Sequence, residues 1–589
     1  MKQTINKESR AELLFSQMPI KKAIWIVVLP SLILTLMIGL YSFVDQVFIQ
    51  QFVPETKPVL SSNGVGEIAN YLTISQASTS DYLNLFNNYN KLTYIENGMI
   101  KHLNLLGRIT SNTIVSTTNA AFQPLIIFSN SIVFLIPVGA SVYYTKCLSK
   151  KLDKATKNVW ATMFWSTFTL SLIATMFSFI FVTSGIMQLF AGKTILEIDR
   201  AQSLGMSQTD LLRLQDYYDA AYKLSIQWAN EYVYVYAAGT ILQGLVTLFS
   251  YFIRAEGFNT YVMWIGIGAN LINIALDAVF IIVFKMGVLG GVLATIIGWI
   301  FNLSACLIYT YLKSKQKHLK MNLGVLFKFK FKFNKDLLIP TILLGLSGFI
   351  RSFGVAFSFA MINIVLSKPS FADPIHFQFY WAKATPIITL FLISIFGISD
   401  GARSLLSYNY TRRDFQRCKE IYLWTLLVSV VYAVIVYIFV AITAGNLWVL
   451  ALNVDENLIK DTANFIRILT LRIIATCFSV SSLLVFQGTN NIEKSILATS
   501  LENFITFLII IPIGIGIAYS VYNSNLVKET ANWIIIGAFI FNTLFASLIL
   551  LSYSYYYISK KLPKIDQNKI SWSRKIEHKF FATIEKENI

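Results

Sequence analysis

Four oxygen-bearing side chains fall in stretches where a sequence would be expected to carry none. Asp45 lies near the far end of PSLILTLMIGLYSFVDQVFI (30–49), an otherwise apolar run long enough to cross a bilayer. It is either held in hydrocarbon or solvated at the outer interface. An acid at the centre of a bilayer costs about 2.5–3.5 kcal/mol on insertion scales, so the first reading makes it functional. In NLINIALD (270–277), Asn273 and Asp277 are four apart and share a helical face. Farther on, in GVLGGVLAT (287–295), Thr295 adds a hydroxyl, while Gly287, Gly290 and Gly291 allow two helices to approach closely. Two acids sharing a low-dielectric pocket cannot both ionise cheaply, so the pair would take up and release a proton at working pH. The same oxygens suit a hard cation such as sodium. For Asn273 and Thr295 the plainer role is helix-to-helix hydrogen bonding.

The second half of the chain carries a different polar set. Arg351, Asp400 and Glu502 each fall within an apolar segment, and an Arg351–Asp400 ion pair would lock two helices together. Arg403, Lys383, Arg467 and Arg472 lie towards segment ends and read as flanking cations that snorkel to the interface.

These residues need membrane-spanning helices to hold them. The 589-residue chain is 55% hydrophobic and 14% charged, far below the roughly 25% charge of soluble domains. About twelve segments of spanning length occur, over 22–50, 124–146, 159–183, 231–253, 260–284, 287–312, 336–366, 377–406, 420–444, 465–486, 495–519 and 531–558. The predicted fold is an all-α integral membrane protein of twelve helices in two six-helix lobes. The net charge of +18 sits mainly in short runs between apolar segments, which points to membrane topology and away from nucleic acid. The positive-inside rule places both termini in the cytoplasm of a multi-pass cell-membrane protein.

The expected organisation is a cytoplasmic N-terminus (1–21), an N-lobe (22–312), a basic linker (313–335), a C-lobe (336–558) and a basic cytoplasmic tail (559–589). Outer loops over 51–123 and 184–230 have mixed charge and could fold in part. In the linker, LFKFKFKF (326–333) alternates Phe and Lys, either as an interfacial strip or as a basic topogenic linker. The halves echo each other faintly: PVGASVYY (137–144) and SDGARSLL (399–406) both precede basic loops, and IRAEGFN (253–259) parallels VFQGTNN (485–491). Such repeats put a binding site at mid-depth between the lobes.

Other chemistry finds no purchase. The four cysteines and four histidines are scattered, and HExxH, CxxC, P-loop and dinucleotide-binding motifs are missing from the sequence. An enzyme, a cofactor and a resident metal are therefore not expected. The first twenty residues are polar and lack a signal-cleavage site.

Taken in order, the motifs resemble those of the multidrug and toxic compound extrusion (MATE) family, within the wider multidrug/oligosaccharidyl-lipid/polysaccharide exporter superfamily. They are Leu29-Pro30 with YSFVDQVFI (41–49), PVGAS (137–141), IRAEG (253–257), Asn273 to Asp277, GVxGxxLAT (287–295), SYNY (407–410) and FQG (486–488). The resemblance implies two six-helix lobes that rock between inward- and outward-facing forms and exchange amphipathic or cationic compounds for protons or sodium. It implies ion coupling at Asp45, Asn273, Asp277 and Thr295, with Pro30 as the bend in the first helix. Departures from the pattern are Gln50 and Gln51 in place of glycines, a long first outer loop, Thr411 after SYNY, and a cation, Arg351, on the seventh helix.

The expected function is therefore an H+- or Na+-coupled antiporter, working as a monomer on a small-molecule substrate. One alternative is a flippase for a lipid-linked substrate, with Arg351, Lys383 and Arg403 receiving an anionic headgroup. Another is a membrane-anchored binding protein, which a compact 51–123 domain would favour.

Overall fold

The computed structural model describes residues 10–60, 66–74, 77–96, 99–103, 106–191, 193–316, 318–328, 335–366, 374–452, 454, 456–523, 529–564 and 572–588. Among them are twelve helices long and apolar enough to cross a membrane. In the N-lobe these are α1 (Ile20–Thr56), α2 (Ser111–Val133 continued by Pro137–Ser149), α3 (Asp153–Thr183), α4 (Gln208–Ala255), α5 (Asn259–Asp277) and α6 (Val288–Lys315). The C-lobe has α7 (Lys335–Leu366), α8 (Pro374–Thr411), α9 (Phe415–Thr443), α10 (Ile459–Gly488), α11 (Ile492–Ser500 and Thr506–Asn523) and α12 (Glu529–Tyr556). A thirteenth helix, α13 (Trp572–Asn588), follows the last span. Many outward-facing residues are large and apolar, such as Ile438, Ile442, Leu508 and Ile513, as expected where the solvent is lipid.

Within each lobe the helices pack on a central one. α4 contacts α2, α3 and α6, and α10 contacts α8, α9 and α12. The lobes meet along two lines, α1 on α8 and α2 on α7, and small residues make both possible. A Cβ on Gly401 would stand 2.7 Å from the Val27 carbonyl oxygen, and one on Gly39 2.5 Å from that of Leu390. On the other line, a Cβ on Gly139 would overlap the Thr341 carbonyl, and one on Gly345 that of Leu135.

The segments between α1 and α2 and before the apolar part of α4 form a cap on the N-lobe. The helix α4 is longer than the apolar segment expected over 231–253, because residues 208–230 continue it beyond the membrane. Ser207 caps its start, accepting from the Asp210 amide at 3.1 Å. Leu211, Leu214, Tyr217, Tyr218 and Ala221 recur at three- and four-residue steps and are buried. Against this helix lie a helix over Thr79–Asn90 and a 3-10 turn over Gly66–Tyr71; an antiparallel hairpin, Thr93–Glu96 with Met99–His102, follows the first of these. The Tyr82 hydroxyl accepts from the Ile109 amide at 2.6 Å, and Asp216 accepts from the Thr73 amide and hydroxyl at 2.8 Å. One apolar core runs from Tyr82 and Tyr217 through Ile49 to Val292. The described residues between α1 and α2 thus share the N-lobe core.

The linker between the lobes and the C-terminal tail also differ from plain linkers. A short helix, Leu323–Lys328, starts the Phe/Lys strip; residues 329–333 of that strip lie outside the described residues. α13 docks against α3 and α7. Its Glu577 pairs with Lys146 of α2, which is fully buried, and its Phe580 packs at 4.3 Å on the Tyr143 ring.

Candidate functional site

The N-lobe polar residues come together where α1, α5 and α6 meet. α6 begins at Gly287, whose φ of +63° is the left-handed conformation glycine adopts without cost. One turn on, Gly291 faces both acids. A Cβ there would stand 2.9 Å from Asp45 Oδ1 and 3.9 Å from Asp277 Oδ1, so the two oxygens are no farther apart than those distances combined. A bare glycine is what leaves room for two carboxylates. The Asn273 amide donates to the Thr295 hydroxyl at 3.3 Å, and that hydroxyl donates to the Gly291 carbonyl at 3.1 Å. Asp277 is fully buried and Asn273 nearly so. Directly after Asp277 the helix widens into a π-helical turn, Ala278–Val283, a local re-registration common at functional sites.

The hydrogen-bond inventory of this cluster is one-sided. Asp45 Oδ1, Asn273 Oδ1 and both Asp277 oxygens are buried and have no hydrogen-bond partner among the described residues. Every one is an acceptor when the acids are ionised. Buried acceptors left unmatched cost free energy, and ionised ones cost most. Two physical remedies fit this donor set: a proton on one carboxylate, or a hard cation held by carboxylate, amide and hydroxyl oxygens. Tyr41, one turn before Asp45 on α1, and Tyr232 of α4 both lie within electrostatic reach of the two acids. In the sequence, the four-residue spacing from Tyr41 to Asp45 is the one signal for these tyrosines, and Gly291 reads as a packing residue alone.

Pro30 is buried within α1, which runs unbroken through it. Proline leaves a carbonyl one turn earlier without its helical donor. Side chains crowd this turn: the Ser31 hydroxyl and the Asn259 amide both donate to the Val27 carbonyl, at 3.0 and 2.9 Å.

In the C-lobe, Arg351, Asp400 and Glu502 form one network. Asp400 Oδ1 accepts from Arg403 and lies 3.5 Å from Arg351 Nη2, while Oδ2 accepts from the Tyr251 hydroxyl of α4 at 2.8 Å. Glu502 sits in a second π-helical turn, Leu501–Ile505, within electrostatic reach of Arg351 and Arg472 and bonded to the Ser479 hydroxyl. Two snorkelling assignments are corrected. Arg403 is 1% exposed and its Nε donates to Gln487 Oε1 at 3.0 Å. Arg472 is 2% exposed, donates to Thr543 at 2.9 Å, and lies over the Phe359 and Phe539 rings at 4.8 and 4.2 Å. Both point inward because the bundle offers polar and aromatic partners closer than the interface. Lys383 donates to the Leu452 carbonyl at 2.6 Å.

The architecture is that of a two-lobed, all-α, multi-pass membrane protein. Residues 382–515 match the MatE family model. Among curated proteins, the chain is 25% identical over 489 residues to "Uncharacterized protein MG447 homolog MYCGA2290" of Mycoplasmoides gallisepticum, covering 82% of this chain and 81% of that one. It is 23% identical to "Uncharacterized protein MG447" of Mycoplasma genitalium, covering 81% and 82%. Among solved structures, it is similar to a MATE protein in complex with MaL6 (TM-score 0.68, 16% identity, 95% of this chain and all of that one). It is also similar to an outward-facing multidrug resistance MATE family transporter of the MOP superfamily (0.65, 17%, 95% and 99%). A MOP superfamily transporter from Pyrococcus furiosus shares the fold as well (0.67, 16%, 95% and 99%). The chain thus shares the fold of MATE transporters, and part of its C-lobe matches the family model.

Proposed function

We propose that this protein is a cation-coupled antiporter of the cell membrane that exports amphipathic or cationic compounds by alternating access, with protons or sodium as the coupling ion. The observation that carries the reading is the cluster of unpartnered buried oxygens on Asp45, Asn273 and Asp277, beside Thr295 and Gly291. A positive ion bound there neutralises the cluster and favours the lobe conformation in which the oxygens converge. Loss of the ion restores repulsion between the acids and favours the other conformation. Coupling requires that the ion prefer one of the two. One proton moving through 100 mV releases about 2.3 kcal/mol, enough for a roughly fiftyfold gradient of a neutral substrate by the tenfold-per-1.4 rule. Both termini are placed in the cytoplasm by the basic loops, and the transporter acts as a monomer.

The test is transport of fluorescent amphiphiles by the purified protein in vesicles, with sodium and pH gradients imposed separately. Transport driven by one gradient identifies the ion. Transport that follows neither gradient removes the antiport reading. Lipid translocation is the second reading, and the buried arginines beside Asp400 favour it. Lys383 does not join them in receiving a headgroup, since it lies 17 positions before Asp400 on α8, about 25 Å along the helix at 1.5 Å per residue.

A further inference from the structure

Resting on the transporter reading above, we propose that Arg351 and Arg403 form a binding site for an anionic group on the transported molecule, a carboxylate, sulfonate or phosphate. The site lies on the cytoplasmic side of the seam between the lobes. This narrows the substrate class to amphipaths that carry negative charge.

Charge balance is the first argument. Four guanidinium groups, on Arg254, Arg351, Arg403 and Arg472, are each at most 9% exposed, yet among the described residues the carboxylates acting on them are those of Asp400 and Glu502. Arginine does not lose its proton in proteins. The network therefore holds a surplus of positive charge in a low-dielectric setting, where uncompensated charge is strongly disfavoured.

Unmatched donors are the second. Arg351 Nη1 and Arg403 Nη1 are buried and have no hydrogen-bond partner among the described residues. Both guanidinium groups converge on the single oxygen Asp400 Oδ1. Each group so keeps one unmatched Nη beside that oxygen, and a planar guanidinium fork matches the geometry of an oxyanion.

Position is the third. Tyr251, from the N-lobe, covers Asp400 from across the seam. When the lobes part on this side, that hydroxyl leaves with its own lobe and the arginine pair faces the opening. Beside Arg351, Phe349, Phe353 and Phe357 stack along α7 at 5.7 and 6.4 Å, joined by Phe504 of α11 and Phe128 of α2. All five rings are only half-buried. An acidic head on the arginines would leave an apolar body lying along this ladder.

The proposal carries an electrical signature. A monovalent cation exchanged for one proton moves no net charge, whereas an exported monovalent anion exchanged for an imported proton moves two. Reconstituted full-length protein would be assayed with a pair of pyrene amphiphiles alike except for a sulfonate or a trimethylammonium head. Expected are transport of the sulfonate, acceleration by a potential negative on the cytoplasmic side, and a KM raised at least tenfold in Arg351→Gln and Arg403→Gln. Arg351→Lys should restore part of the affinity. Preference for the trimethylammonium probe, or equal effects of the variants on both probes, would overturn the proposal. Should Gln variants reconstitute poorly, a probe-induced rise in Tm in detergent gives a second readout: the sulfonate should raise it in wild type and less in Arg351→Lys. An identical rise in both proteins counts against the site. A short-chain fluorescent phosphatidylglycerol and a soluble aryl phosphate separate a lipid headgroup from a free anion. Transport of either supports the site, and transport of no anionic probe refutes it. Sulfonate transport indifferent to sodium and pH gradients would instead remove the antiport reading and leave this site standing.

Discussion

At the scale of single residues, the account turns on acceptors without donors. Asp45 and Asp277 were legible in the sequence because an acid inside an apolar span needs a reason, and four-residue spacing put Asn273 on the same face as Asp277. Arg403 and Arg472 were misread for a related reason: sequence shows that a cation lies near a segment end but not whether an inward partner is nearer than the interface. Gln487, Thr543 and two phenylalanine rings supply those partners from helices far away in sequence. Gly291 gives the sharpest prediction here. In Gly291→Ala the new methyl would lie 2.9 Å from Asp45 Oδ1, closer than side chains tolerate, so a carboxylate must swing away. Ion-driven transport should fall at least tenfold while the amount of folded protein in the membrane, judged by gel filtration after extraction, stays near wild type.

At the scale of elements, the seam and the last helix carry the predictions. α7 meets α2 through Gly345 and Gly139, with no space for a branched side chain. Gly345→Val should hold the lobes apart on this line and abolish transport, and cross-linking between cysteines placed on α2 and α7 should drop. α13 was expected only as a basic tail, since its alternation of charge and aromatics has no apolar run to mark it. Phe580 and Ile584 are nonetheless fully buried in a core that includes Cys147. Removing a buried Phe costs about 3–5 kcal/mol, more than a short docked helix can lose. Phe580→Ala should therefore release α13, and Cys147 should become reactive to a maleimide, detected by mass spectrometry of its peptide. Unchanged protection of Cys147 would mean that α13 does not cover it. The extension of α4 beyond the membrane escaped the hydropathy reading because its apolar face is one stripe on an otherwise polar helix.

At the scale of the whole molecule, the two lobes divide the chemistry. Among the described residues, the cluster at α1, α5 and α6 leaves carboxylate and amide oxygens without donors, the Asp400 network leaves two guanidinium Nη1 groups without acceptors, and the lobes touch through Tyr251 and Asp400. The twelve-helix body was readable from apolar length alone, since the bilayer permits few alternatives. The cap was not, because its contacts join residues more than a hundred positions apart, as in Tyr218 to Gly107. The most direct test of the central claim is gradient-driven transport by Asp45→Asn and Asp277→Asn in vesicles, with protein amounts matched. Loss of coupled transport in both variants, with substrate binding retained, is the predicted result. Full transport by both would contradict it.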